Sequence, residues 1–130
     1  MKRVLIVEDE GNIVLSLVFV LEREGIQVET VMTGAEAIEG MRRFAPDLVV
    51  LDIMLPGKNG YEICHEVQQD SELRRIPILM LTAKAQEAEK RKGLELGAVE
   101  YVTKPFRVTE LLARIKSILY AEEPALRVDS

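Results

Sequence analysis

The sequence predicts an α/β fold: a five-stranded parallel sheet, doubly wound, with five helices covering its two faces. Three observations carry this expectation. Three short unbroken apolar runs and a fourth, looser one recur along the chain, and unbroken apolarity is expected of strands covered on both sides, as in a parallel sheet between helix layers. The stretches between them repeat apolar residues at helical spacing. Strand and helix alternate throughout, as parallel neighbours require, because their connections are crossovers of a dozen or more residues.

Taken in order, Val4-Leu5-Ile6-Val7 is the first strand, and Ile13, Leu17, Val20 and Leu21 mark a helix that Gly25 stops. Gln27 to Val31 alternates polar and apolar residues, which suits a wetter strand at the sheet edge. Ala37, Ile38 and Met41 mark a second helix before Pro46, and Leu48-Val49-Val50-Leu51 is the next strand. Tyr61, Cys64 and Val67 mark a third helix, followed by the strand Ile78-Leu79-Met80-Leu81. A strongly charged fourth helix ends at Leu94 and Leu96, the looser strand Val99-Glu100-Tyr101-Val102 follows, and Leu111, Leu112, Ile115, Ile118 and Leu119 mark a fifth helix. Pro124 then breaks the pattern, so the expected organisation is one domain over residues 1–121 and a tail or linker stub over 122–130.

Composition fits one domain. The 130 residues are 48% hydrophobic, 30% charged and 5% aromatic, and 17 Lys plus Arg stand against 22 Asp plus Glu, a formal charge of −5. That balance lacks the basic excess of a nucleic-acid or anionic-membrane binder. No stretch reaches the roughly 18 consecutive apolar residues of a membrane span, and the short apolar run after Met1-Lys2-Arg3 is too brief for a secretory signal. With Cys64 as the lone cysteine, the expected location is the cytoplasm.

In open α/β sheets ligands bind at the carboxyl ends of the strands, so the residues just after each apolar run are the informative ones. They are Glu8-Asp9-Glu10, Asp52, Thr82 and Lys104-Pro105, while the edge strand ends in Met32-Thr33-Gly34 with nothing obviously reactive. Glu8, Asp9 and Asp52 crowded together would repel one another unless one held a proton or a cation sat among them. Magnesium suits such a site, because it takes a few carboxylates and keeps several waters. A carboxylate nucleophile, a magnesium ion, an ammonium and a hydroxyl are together suited to phosphoryl transfer onto Asp52, since the developing negative charge is neutralised from several directions.

These residues resemble the receiver domain of two-component response regulators, along roughly residues 2 to 121. The resemblance rests on Val7-Glu8-Asp9, the segment from Asp52 through Leu55-Pro56-Gly57-Lys58-Asn59-Gly60, Leu81-Thr82-Ala83, and Gly97-Ala98 leading to Tyr101-Val102-Thr103-Lys104-Pro105-Phe106. It implies a flavodoxin-like strand order, 2-1-3-4-5. It implies Asp52 as phosphoacceptor, Asp9 as direct metal ligand, Glu8 as a ligand through water and the Met54 carbonyl as a backbone ligand of magnesium or manganese. Many members carry two aspartates at the acidic pair, and Glu8 replaces the first. The resemblance further implies Thr82 as a switch hydroxyl, Tyr101 as the aromatic that moves with it, Lys104 as the phosphate's ammonium partner, and a cis Lys104-Pro105 bond. The phosphodonor would be a sensor histidine kinase, a phosphotransfer protein or a small phosphodonor, with catalysis limited to self-phosphorylation and self-dephosphorylation. The first helix and the loop from Lys104 to Arg107 would choose the kinase.

Within the receivers, the charge pattern looks like the branch of winged-helix transcription factors typified by OmpR. Lys90, Glu95, Glu100, Glu110, Arg114 and Lys116 match the face through which that branch dimerises when phosphorylated, with cross-subunit pairs Lys90 to Glu110, Glu95 to Lys116 and Glu100 to Arg114. Taken alone, these charges also suit a solvated helical face with intrahelical pairs such as Glu110 and Arg114. A stand-alone regulator, a phosphorelay intermediate and an unphosphorylated scaffold are the other outputs weighed. A haloacid-dehalogenase-like phosphohydrolase would need an acid where Met54 stands, and a flavodoxin-like cofactor binder would need a phosphate cradle where Glu8-Asp9-Glu10 stand. His65 and Cys64 read as surface or packing residues, and Gly60 and Gly97 as backbone needs.

Overall fold

The computed structural model describes residues 1–83, 94–95 and 97–121. Its elements are β1 (Arg3–Val7), α1 (Gly11–Arg23), β2 (Gln27–Val31), α2 (Gly34–Phe44), β3 (Leu48–Asp52), α3 (Gly60–Gln68), a short 3-10 turn (Leu73–Arg75), β4 (Ile78–Thr82), β5 (Glu100–Thr103) and α4 (Val108–Leu119). The five strands form one parallel sheet in the order β2-β1-β3-β4-β5, as the sequence predicts. The charged helix expected before Gly97 falls outside the described residues except for Leu94 and Glu95, and so does the tail over 122–130.

Alternation along the strands divides the core into two layers. Leu5, Val7, Val49 and Leu51 face Ala37 and Met41 of α2 and Ile63, Cys64 and Val67 of α3. Val4, Ile6, Val50, Leu79, Leu81 and Val102 face Leu17 and Leu21 of α1 and Leu111, Ile115 and Leu119 of α4. Every residue of β3 and β4 is buried, which is why their sequences carry no polar alternation, whereas β2 at the edge is buried only at Val31. The last strand starts one residue later than its apolar content suggests. Val99 is exposed, and the ladder with β4 runs from Leu79–Glu100 to Thr82–Thr103.

The starts of α2 and α3 are set by short polar side chains. Asn59 and Glu62 form a reciprocal capping box at α3, each side chain 3.0 Å from the other's backbone N–H. Thr33 Oγ1 accepts from the Glu36 N–H at 3.3 Å and fixes the first turn of α2. At α2 the turn therefore begins right at the carboxyl edge of the sheet. That edge also carries the ends of β1, β3, β4 and β5, because register aligns Val7 with Leu51, Asp52 with Leu81, and Thr82 with Thr103.

Candidate functional site

The register fixes what meets at this edge. Glu8 follows Val7 and Asp52 ends β3, so two carboxylates leave adjacent strands side by side. Lys104 follows β5, and its N–H donates to the Thr82 carbonyl at 2.6 Å, which brings the ammonium across β4 toward them. Lys104 Nζ stands 3.1 Å from Glu8 Oε1, 3.2 Å from Asp52 Oδ2 and 3.6 Å from Glu10 Oε1. Glu8, Asp9 and Asp52 each offer an oxygen within 4.8 Å of the others, with Asp9 the exposed member of the three. The Lys104-Pro105 peptide is cis.

Burial makes this cluster electrostatically expensive. Glu8 is 0% exposed and Asp52 only 2%, so water screens neither carboxylate. Glu8 Oε2 accepts from the Glu10 N–H at 3.0 Å, but Oε1 has no aligned hydrogen bond and only the ion-pair contact with Lys104. Its burial, and then the charge of Asp52, push the Glu8 carboxyl up to about 7. Burial alone would lower the Lys104 ammonium; the bonds and charges of Glu8 and Asp52 outweigh it and raise the group above its ordinary value. One ammonium thus faces three carboxylates, and the buried Glu8 Oε1 has only that shared ammonium beside it. A divalent cation fits such a site: its charge meets the excess, and carboxylate oxygens are the donors magnesium takes.

The loop after β3 completes the rim. The Met54 N–H donates to Asp52 Oδ1 at 3.2 Å, so Met54 is held beside the carboxylate with its side chain outside. The Gly60 N–H closes the loop on the Ile53 carbonyl at 3.0 Å. Thr82 is buried at the end of β4, and Tyr101, two register rows below it opposite Met80, is half-buried against the core layer of α2 and α3.

A scan against protein families matches the response regulator receiver domain over residues 4–116. The chain belongs to that family. Among curated proteins, this receiver is 48% identical over 124 residues to the alkaline phosphatase synthesis transcriptional regulatory protein PhoP of Bacillus subtilis, covering 95% of the chain and 51% of the relative. It is 43% identical over 122 residues to the phosphate regulon transcriptional regulatory protein PhoB of Rhizobium meliloti, covering 94% of the chain and 54% of the relative. Among solved structures it superposes on the non-phosphorylated HemR receiver domain from Leptospira biflexa with a TM-score of 0.85 and 36% identity, covering 95% and 98% of the two chains. The receiver spans about half the length of the curated relatives it matches. Both are transcriptional regulatory proteins, in keeping with the branch the charge pattern suggests. Among the described residues no helix is long and apolar enough to cross a membrane.

Within the receiver, Glu8, Asp9, Asp52 and Lys104 come together as the sequence predicts. The dimer-face residues do not form one described cluster. Lys90 lies outside the described residues, Glu95 and Glu110 are exposed, Arg114 pairs with Glu100 of the same chain at 2.9 Å, and Lys116 pairs with Glu24 at 2.8 Å. Two residues named at the strand ends make contacts that the sequence did not show. Glu10 approaches Lys104 as a third carboxylate, and Gly34 packs on the loop after β3. His65 is exposed, while Cys64 is buried and its thiol is pushed up to about 12 by that burial.

A pH prediction follows from Glu8. Its carboxyl titrates higher folded than unfolded, so between the ordinary value of 4.5 and about 7 the folded state binds the extra proton. Unfolding free energy therefore falls as pH rises through that window. Glu8→Gln has no such titration, so it stabilises the metal-free protein by about 1–3 kcal/mol above pH ~7.5, and this gain disappears toward pH ~4. Urea unfolding across this range measures the difference, and a difference independent of pH would contradict it.

Proposed function

We propose that this receiver accepts a phosphoryl group on Asp52 from a histidine kinase, a phosphotransfer protein or a small phosphodonor, and that the modification switches a protein-interaction surface. One observation carries the reading: an almost fully buried Asp52 carboxylate lies within hydrogen-bond reach of a single ammonium that it shares with Glu8, inside an acidic cluster suited to a divalent cation. Asp9, Asp52 and the Met54 carbonyl would bind magnesium or manganese directly, and Glu8 through water. The bound ion supplies positive charge that offsets the oxygens of the phosphoryl group in flight.

The chemistry of Asp52 needs no general base, because the attacking group is already a carboxylate. One of its oxygens forms the new bond to phosphorus as the bond from phosphorus to the donor histidine nitrogen breaks, and that electron pair stays on the imidazole. Lys104 stands where it can pair with the transferred group, having to loosen its contact with Glu8 to do so. Thr82 then offers its hydroxyl to the phosphoryl oxygens, and Tyr101 follows it inward. In self-dephosphorylation water attacks the phosphorus, the bond to Asp52 breaks, and inorganic phosphate leaves.

Two features support recognition of the donor by α1 and the loop from Lys104 to Arg107. A groove of about 440 Å³ is lined by Ile13 and Ser16 of α1 together with Lys104, Pro105 and Phe106. Beyond it, Leu15 and Phe19 lie exposed on the outer side of α1, at 71% and 60%. The transcriptional regulators among the relatives support the receiver part of a cytoplasmic transcriptional regulator, with residues 1–121 as the switching unit and 122–130 as a tail or linker stub. This chain would itself contact no nucleic acid and no membrane.

Incubation with magnesium and acetyl phosphate gives a base-labile mass gain of one phosphoryl group, which Asp52→Asn abolishes. Retention of the gain in Asp52→Asn, or no gain from acetyl phosphate or a phosphohistidine donor, would overturn the assignment.

Phosphorylation would also favour a two-fold dimer through β5, α4 and the charged segment before Gly97, with Lys90 to Glu110, Glu95 to Lys116 and Glu100 to Arg114 across subunits. Supporting this, Glu100 and Arg114 already pair within one chain at 2.9 Å, so dimerisation exchanges that partner for an equivalent one. With beryllofluoride and magnesium the protein elutes from gel filtration as a dimer, and Arg114→Glu remains a monomer. A wild-type monomer at high concentration would contradict the dimer.

A further inference from the structure

The end of the edge strand, Met32-Thr33-Gly34, carries no reactive group, yet its backbone touches the site. Gly34 is buried at the first position of α2, and a Cβ added there would lie 2.3 Å from the Lys58 carbonyl oxygen and 2.8 Å from Lys58 Cβ. No side-chain rotation relieves the first contact, because a Cβ is fixed in place by its own backbone and its partner is a backbone carbonyl. Lys58 belongs to the loop after β3, which returns to the sheet at Gly60. A Cβ at Gly60 would lie 2.8 Å from Ile53 Cα and 3.0 Å from the Asp52 carbonyl oxygen. The loop is thus seated at its far end on β3 itself and pressed from outside by the first turn of α2. Met54, whose N–H donates to Asp52 Oδ1 at 3.2 Å, lies on the same loop between the end of β3 and Lys58.

We propose that Gly34 is a positioning residue for the phosphoacceptor loop: by letting α2 rest directly on the Lys58 peptide, it fixes the height of the Met54 backbone above Asp52 and so tunes affinity for the divalent cation. The inference rests on the metal and phosphoacceptor reading of Asp52. Thr33 belongs to the same device, since its Oγ1 caps the Glu36 N–H and keeps the first turn of α2 wound against the loop. Any side chain at position 34 drives that turn and the Lys58 peptide apart. The displacement travels along the loop toward Met54, because Gly60 holds its other end in place. A rim that is otherwise built of charged side chains is therefore set partly by an uncharged backbone contact about half a loop away.

The test compares wild type with Gly34→Ala, Thr33→Val and Gly40→Ala by calorimetric titration of Mg²⁺ alone. Gly40 is a control in the same helix, where an added Cβ meets only the Leu5 and Val31 side chains at 3.5 Å. Gly34→Ala binds Mg²⁺ about 10-fold more weakly, in the range found when the supports of metal ligands are removed; Thr33→Val shifts it the same way by less, and Gly40→Ala leaves it unchanged. Phosphorylation of Gly34→Ala by acetyl phosphate recovers at saturating Mg²⁺, which a general loss of folding would not allow. If Gly34→Ala does not fold, Thr33→Val decides. Mg²⁺ binding as tight as wild type in the folded variants overturns the positioning role alone, whereas a wild type that binds no Mg²⁺ overturns the reading of the site together with it.

Discussion

One ammonium, that of Lys104, stands among three carboxylates at the rim of the sheet, two of them withdrawn from water. Like charges at that spacing would drive the strand ends apart in a medium less polar than water. The fold holds them there because the ends of β1, β3 and β5 are fixed by ladders deeper in the sheet, where every residue of β3 and β4 is buried. Apolar packing below thus sustains charge crowding above. The incomplete neutralisation suits a cation site, since a site with no excess negative charge would have no need of a cation and little to gain from one.

The same geometry makes Lys104 a shared partner. Its contacts with Glu8 and Asp52 are of nearly equal length, 3.1 and 3.2 Å, so neither carboxylate monopolises it. A phosphoryl group on Asp52 would add negative charge on the Asp52 side and shift that balance. Thr82 is joined to Lys104 through the backbone, and Tyr101 lies two rows below on the neighbouring strand, so the β4–β5 ladder connects Lys104 to both. The rim and the outward face of β5 and α4 are in this way mechanically continuous.

Most of the fold was legible in the sequence because burial on both faces leaves unbroken apolar runs, as in Leu48 to Leu51 and Ile78 to Leu81, and because a single wetter strand, Gln27 to Val31, marks the edge. The start of β5 was less legible: Val99 is apolar but exposed, and strand limits follow the backbone ladder rather than side-chain polarity. Glu8, Asp9, Asp52 and Lys104 were readable as a set because each follows a strand and the strands are parallel, so sequence position translates directly into position on one edge. The contacts of Gly34 and Glu10 were not, for a physical reason common to both. What a glycine permits, or which cation an exposed glutamate reaches, is decided by groups that approach through space, and here those groups are 24 and 94 residues away in the chain, at Lys58 and Lys104.

The central claim, that crowded carboxylates at the rim are held for a divalent cation, is tested most directly by melting the protein with and without magnesium at neutral pH. Binding to the folded state alone must raise the melting temperature as magnesium is added. The account predicts such a rise for the wild type and its loss in Asp9→Asn, which keeps the buried pair but removes the exposed ligand. A melting temperature indifferent to magnesium in the wild type, or an equal rise in Asp9→Asn, would contradict it.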